Sequence, residues 1–271
     1  MSAGVISKTV RGFTGSLART LISENSAHAR GLLQALDPRV KLVGLLALVV
    51  AAALSRKLAV MAALFGLGVV LAVASRLSLW SFAKRVWLVA FGFTAMIAAP
   101  ALFLTPGQPM YTLPLGSLAV TAQGARSALL LIARVEATVT LSTLLVLTTP
   151  WMHLLKALRT LLVPMEVIAM LAMTHRYVVL LTETANAMFE SRQSRMVGRL
   201  SGHEQRRLMV NTGGVLLSKT LALGNEVFLA MQARGFRGEV RLLTDFRLRA
   251  WDYLAMSGFA VASVAAVVAG R

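Results

Sequence analysis

The amino-acid sequence predicts an all-α polytopic membrane helical bundle with about five transmembrane helices and, between the last two of them, long helices on the cytosolic side. Three observations predict it. Hydrophobic residues make up 57% of the 271 residues and charged ones only 14%, a balance found in membrane chains and not in soluble domains. The apolar residues gather into uncharged runs close to the roughly 20 residues that a spanning helix needs. Between the fourth and fifth runs, by contrast, charges interrupt the apolar positions at helical intervals.

The formal charge of +17 suits nucleic acid or an anionic lipid surface. Because the aromatic residues lie within apolar runs instead of alternating with basic ones, the lipid surface is the partner expected and no nucleic acid is. Cysteine is absent, which removes disulfide frameworks and thiolate metal sites. Residues 1–36 form a polar arm dotted with Lys8, Arg11, Arg19 and Arg30, unlike a secretory signal, and are expected to stay in the cytosol.

Residues 37–155 are expected to carry four spans. Asp37-Pro38 reads as an N-cap followed by proline at the first helical position, opening a helix through the uncharged stretch Leu42 to Ser55. Lys41 and Arg56 would snorkel at its ends. Leu58 to Ser75 is the second span, Val86 to Leu104 the third, and Ala137 to Leu155 the fourth. The segment Thr105 to Gln123, with Pro106, Pro109 and Pro114, has no charge and reads as an outer loop. Residues 250–271 hold the last span, Tyr253 to Gly270. Basic residues dominate the arm, the Arg76 to Arg85 loop and residues 156–249, so those regions are expected inside and the C-terminus outside. Only Arg56-Lys57 falls on the opposite side.

Within 156–249, Pro164 separates a short amphipathic piece, Trp151 to Val163, from a helix starting at Met165 and reaching about Val197. Met173, Tyr177, Leu181, Thr184, Met188, Ser191 and Arg195 follow one another by threes and fours. So do Leu217, Leu221, Gly224, Phe228, Met231 and Arg234. Each stripe ends in an arginine, so each of the two helices delivers one to a tip. Two readings are open: buried seams of a helical hairpin, or a docking surface with flexible methionines and arginines able to make bidentate pairs with a partner's carboxylates. Most helix-end arginines do no more than offset the helix dipole.

Leu36-Asp37-Pro38-Arg39-Val40-Lys41-Leu42, Leu147-Thr148-Thr149-Pro150, Thr174-His175-Arg176-Tyr177 and Ala230-Met231-Gln232-Ala233-Arg234-Gly235-Phe236-Arg237-Gly238 together resemble the transmembrane T component of energy-coupling factor (ECF) ABC-type transporters. The resemblance is to the CbiQ-like branch, associated with cobalt or nickel uptake, and runs from about Ser26 to the end. It implies a scaffold of the bacterial inner membrane whose cytosolic coupling helices sit on two ABC-type ATPase subunits, while its membrane part holds a substrate-capture (S) component. ATP would then bind to the partners, with no cofactor or metal on this chain. The family's short Ala-Arg-Gly-like motif near the end of each coupling helix falls on Ala233, Arg234 and Gly235 and, with a departure at both flanking positions, on Ser194, Arg195 and Met196. That departure leaves Arg192 as a competing first arginine. A vitamin transporter of the same class is the alternative.

Other features weigh less. Gly213 to Thr220, GGVLLSKT, approaches a phosphate-binding loop, but Ser218 stands where the second glycine is needed and no strand precedes it. His28, His153, His175 and His203 are scattered, with Glu204 beside the last, so no metal site is expected. Glu183 and Glu190 share a helical face and are expected in salt bridges, not in acid–base chemistry. Arg126, Arg134 and Glu136 either line a path through the membrane or form a structural pair at its edge. Dispersed acids argue against a membrane-embedded enzyme, and the lack of internal repeats against a stand-alone carrier or channel.

Overall fold

The computed structural model describes residues 31–104, 109–112, 119–195, 201–236 and 250–271. The described helices are α1 (Leu32–Ala35), α2 (Pro38–Leu54), α3 (Leu58–Ala74), α4 (Leu79–Phe82), α5 (Leu88–Leu104), α6 (Ala122–Thr148), α7 (Trp151–Leu158), α8 (Met165–Ser194), α9 (Gly202–Ala233) and α10 (Ala250–Gly270). A π-helical turn, Ala83–Trp87, leads into α5. Two short antiparallel strands, β1 (Pro109–Thr112) and β2 (Ala119–Thr121), add a small hairpin to the otherwise all-α polytopic bundle. The segment read as an outer loop thus contains paired backbone. The chain divides into two compact units, one comprising 25–157 with 246–271 and the other including 158–245.

In the first unit, α2 starts where the sequence says it should: the Asp37 carboxylate accepts from the Arg39 amide at 2.9 Å, with Pro38 in the first turn. The helices α2 and α10 run side by side in the same direction. Asp37 meets Asp252 at one end, Gly44 lies against Phe259 in the middle, and Arg56 donates its amide to the Gly270 carbonyl at the other. Small residues bring the helices close: a Cβ at Gly44 would come within 2.5 Å of the Phe259 ring, and one at Gly68 of α3 within 2.9 Å of Thr140 on α6. Leu45, Leu48, Leu141 and Leu144 form the centre of the core. The Trp87 indole, packed against Phe65 and Phe82, donates to the Thr140 hydroxyl at 3.0 Å.

The fourth span differs from expectation. It is not Ala137 to Leu155 but α6, which begins fifteen residues earlier, capped by the Thr121 hydroxyl on the Gly124 amide, and ends at Thr148 ahead of Pro150. A charge-free run was the wrong criterion, because a charged side chain enters a helix of this kind when the bundle satisfies it. Arg134 donates to the Ser55 carbonyl at 2.9 Å. That bond puts Arg134 level with the α2–α3 turn, so the twelve residues of α6 before it, about 18 Å of helix, continue past that level beside α5. Of the two readings left open for Arg134 and Glu136, the local pair does not form: both carboxyl oxygens of Glu136 are buried without a hydrogen-bond partner.

Among the described residues, α6, α8, α9 and α10 are long and apolar enough to cross a membrane, and Leu58–Ala74 and Leu88–Leu102 are shorter apolar helices. The chain is a multi-pass membrane protein.

Candidate coupling site

The second unit contains α8 and α9, and its geometry follows from the chain. Only residues 195–201 separate two helices of 30 and 32 residues, and a connection that short returns the second helix antiparallel to the first. The first half of α8 and the last half of α9 line one apolar cavity of about 570 Å³, with Met173, Tyr177 and Leu181 on one side and Gly224, Phe228 and Met231 on the other. These are members of both predicted stripes. They line an open groove and not a sealed seam, since Phe228 is 55% exposed. Leu217 and Leu221 of the second stripe lie outside the groove and are exposed.

The antiparallel arrangement puts the two arginines that end the stripes at opposite ends of the hairpin. Arg195 follows the last residue of α8, fourteen positions past the groove-lining Leu181, or about 21 Å along the axis. Arg234 sits between Met231 and Phe236, which both line the groove. Each arginine is exposed. Arg192, the competing choice, is half-buried within the last turn of α8. Ser194 turns its hydroxyl back to the Ser191 carbonyl at 2.9 Å, and Met196 lies outside the described residues.

The second motif has a clear local cause. Gly235 takes φ +79°, its amide donates to the Gln232 carbonyl at 2.9 Å, and the Phe236 amide donates to the Met231 carbonyl at 3.0 Å. This is a Schellman ending, which needs a residue without Cβ at that point. Ala233-Arg234-Gly235 is thus a helix stop that leaves Arg234 as the terminal side chain. At the start of α9, Ser201 and Glu204 form a capping box, with the Ser201 amide on the Glu204 carboxylate at 2.8 Å.

The remaining candidates take ordinary places. Gly213 to Thr220 lies inside continuous α9, where backbone amides are committed to the helix and cannot wrap a phosphate. Glu183 and Glu190 are exposed on α8. Among the described residues no three His, Asp or Glu side chains gather as metal ligands.

The structure also joins motifs that sequence reading left apart. The Lys41 ammonium, with the residue 2% exposed, donates to the Thr148 carbonyl at 3.1 Å, and the Asp37 amide donates to the Asp252 carboxylate at 2.8 Å. Residues 107 and 215 positions apart meet at one end of the bundle. A lysine in the first turn of an apolar helix, with aspartates opening two helices, was the available signal.

The profile of the CbiQ family, described as cobalt transport protein, matches residues 30–244. This chain belongs to the CbiQ family. An uncharacterized protein of Methanocaldococcus jannaschii is 29% identical over 244 residues, covering 89% of this chain and 84% of that protein. The cobalt transport protein CbiQ of Rhodobacter capsulatus is 30% identical over 158 residues, 56% of this chain and 63% of its own length. The energy-coupling factor transporter transmembrane protein EcfT of Brevibacillus brevis is 29% identical over 217 residues, 75% and 80% of the two chains. The CbiQ-family chain is accordingly a T component, the transmembrane protein, of the ECF transporter class.

Proposed function

We propose that this CbiQ-family subunit couples ATP hydrolysis on two ABC-type ATPase subunits to a membrane-embedded capture subunit that takes up cobalt, with Arg195 and Arg234 each docking one ATPase. The observation that carries this reading is the separation of the two arginines by the antiparallel hairpin. Two exposed cations far apart suit two seats on two proteins better than one shared pocket. The cobalt assignment rests on the name of the Rhodobacter capsulatus relative.

In this reading α8 and α9 are coupling helices on the cytosolic side, together with the arm 1–36. Their charges support it. Glu166, Arg176, Glu183 and Glu190 recur along α8, and Glu204, Arg206, Arg207, Lys219 and Glu226 along α9, so a spanning placement would bury several ions in hydrocarbon. An arginine guanidinium entering a partner's groove makes a charge-assisted, bidentate contact with a carboxylate. The groove walls, rich in methionine, can shift as the ATPases close.

Changing Arg195→Glu and Arg234→Glu together should leave the chain in the membrane and remove the ATPase subunits on co-purification, because each contact becomes a like-charge repulsion. ATPase subunits that still co-purify at wild-type yield would end the docking assignment.

A further inference from the structure

We propose that Lys41, buried like Asp37 and Asp252 and holding the Thr148 carbonyl, is the positioning residue through which movement of the 158–245 unit enters the membrane bundle; this rests on the coupling function proposed above. Connectivity is the first argument. The chain leaves the bundle after Ala157, one short helix (α7) beyond the end of α6, and rejoins it ahead of Trp251-Asp252. The helix ends nearest both crossings, the last residue of α6 and the first turn of α10, are tied to the start of α2. The end of α6 is held by Lys41 Nζ on the Thr148 carbonyl at 3.1 Å, and the start of α10 by the Asp37 amide on Asp252 Oδ1 at 2.8 Å.

The chemistry of the node is the second argument. Lys41, Asp37 and Asp252 are all buried, and both carboxylates act electrostatically on the ammonium. Thr148 is the last residue of α6, where helix carbonyls lack amide partners and the dipole favours a cation. Apolar side chains would hold α2 against α6 and α10 at least as well as a buried ion cluster. What a charged node adds is a fixed register between three helix ends, because its bonds are directional.

The far end of the bundle is the third argument. There the same three helices are tied again: Arg134 of α6 donates to the Ser55 carbonyl, the Ser55 hydroxyl to the Ala266 carbonyl of α10, and the Arg56 amide to Gly270. Three stiff rods joined at both ends move together when one end is displaced. A pull on either chain crossing therefore tilts α2, α6 and α10 as a set.

The chain has no cysteine, so paired labels report single distances. Spin labels at Val50→Cys and Leu129→Cys would follow α2 against α6, and labels at Leu180→Cys and Leu217→Cys would follow the hairpin; all four positions are exposed. The measurement is made on the chain co-purified with its ATPase subunits, with and without ATP. The expected result is an ATP-dependent shift of both pairs in the parent. In Lys41→Met/Asp252→Asn, which removes one charge of each sign, the hairpin shift persists while the bundle shift falls to under a third. Asp252→Asn alone, a near-isosteric change, serves if the double variant does not insert, and should at least halve the bundle shift. A full bundle shift in the inserted variant, or none in the parent, overturns the proposal. Failure of the parent to retain any ATPase sinks the coupling function itself.

Discussion

Leu45, Leu48, Leu141 and Leu144 of the membrane bundle are 1% exposed or less, while Met170 and Phe228 of the α8–α9 hairpin, equally apolar, are 67% and 55% exposed. The bundle packs α2, α3, α6 and α10 around one core, so inward faces are covered on several sides. A pair of helices covers only the strip along which they touch, and the rest of each apolar face stays open. Apolar content is thus a poor guide to where a helix of this chain resides, since α8 and α9 meet the same length and hydropathy thresholds as α6 and α10. Charge spacing separates them, because Glu166, Arg176, Glu183 and Glu190 recur along α8 and Glu204, Arg206, Arg207, Lys219 and Glu226 along α9, whereas Asp252 is the one charge in α10.

The sharpest way to break that distinction is topological. Single cysteines at Glu183 and Lys219, both exposed, should react to completion with a hydrophilic maleimide added to inside-out vesicles. A cysteine at the exposed Val70 of α3 should react at least tenfold more slowly, because lipid surrounds it. Protection of the Glu183 position from both faces of the membrane would place α8 in the bilayer and remove the cytosolic assignment.

Glycine substitutions sharpen the same contrast in packing. Gly44→Ala introduces a Cβ within 2.5 Å of the Phe259 ring and should cost about 1–3 kcal/mol, as overpacking does in a filled interior. Gly224→Ala in α9 meets nothing within 4 Å. It should stabilise the hairpin by up to about 1 kcal/mol through helix propensity alone. Thermal unfolding of the two variants in detergent reads both signs, and a stabilising Gly44→Ala would show that α2 and α10 are not held in this contact.

Much of this was legible in the sequence, and the parts that were not have physical reasons. Asp37-Pro38 announces α2 because capping and proline geometry are local. The start of α6 stayed hidden because Arg126, Arg134 and Glu136 look like the edge of a span until Ser55 supplies a backbone acceptor for one of them. Met173 to Leu181 and Gly224 to Met231, one part of each stripe, line a common groove, but periodicity carries no direction; the short 195–201 connection does, and it sends Arg195 and Arg234 apart. The Lys41 node joins residues from three helices; a first-turn lysine and two helix-opening aspartates mark its members, but nothing local says that they meet.

Gly235→Ala tests the coupling side more gently. At φ +79° an alanine costs about 1–2 kcal/mol, so the last turn of α9 should fray and Arg234 lose its fixed position. The expected readout is a several-fold weaker hold on the ATPase subunits with no change in membrane yield. Retention unchanged from the parent would mean that the Schellman ending does not present Arg234.

The smallest effect belongs to the other end of α9, on the reading that this helix lies outside the bilayer. Bonds from the Ser201 amide and then its hydroxyl hold the Glu204 carboxyl below the ordinary carboxylate range. A depressed folded value means that the capping contribution is complete above the ordinary carboxylate pKa and is lost as the pH falls through the depressed one. Ser201→Ala removes the hydroxyl arm of the box. Amide hydrogen exchange in the first turn of α9 should then quicken at neutral pH while the Arg234 end is unchanged, because capping acts within one turn. Equal quickening at both ends would show that α9 melts as a unit, and would make the hairpin less rod-like than a lever between two ATPases requires.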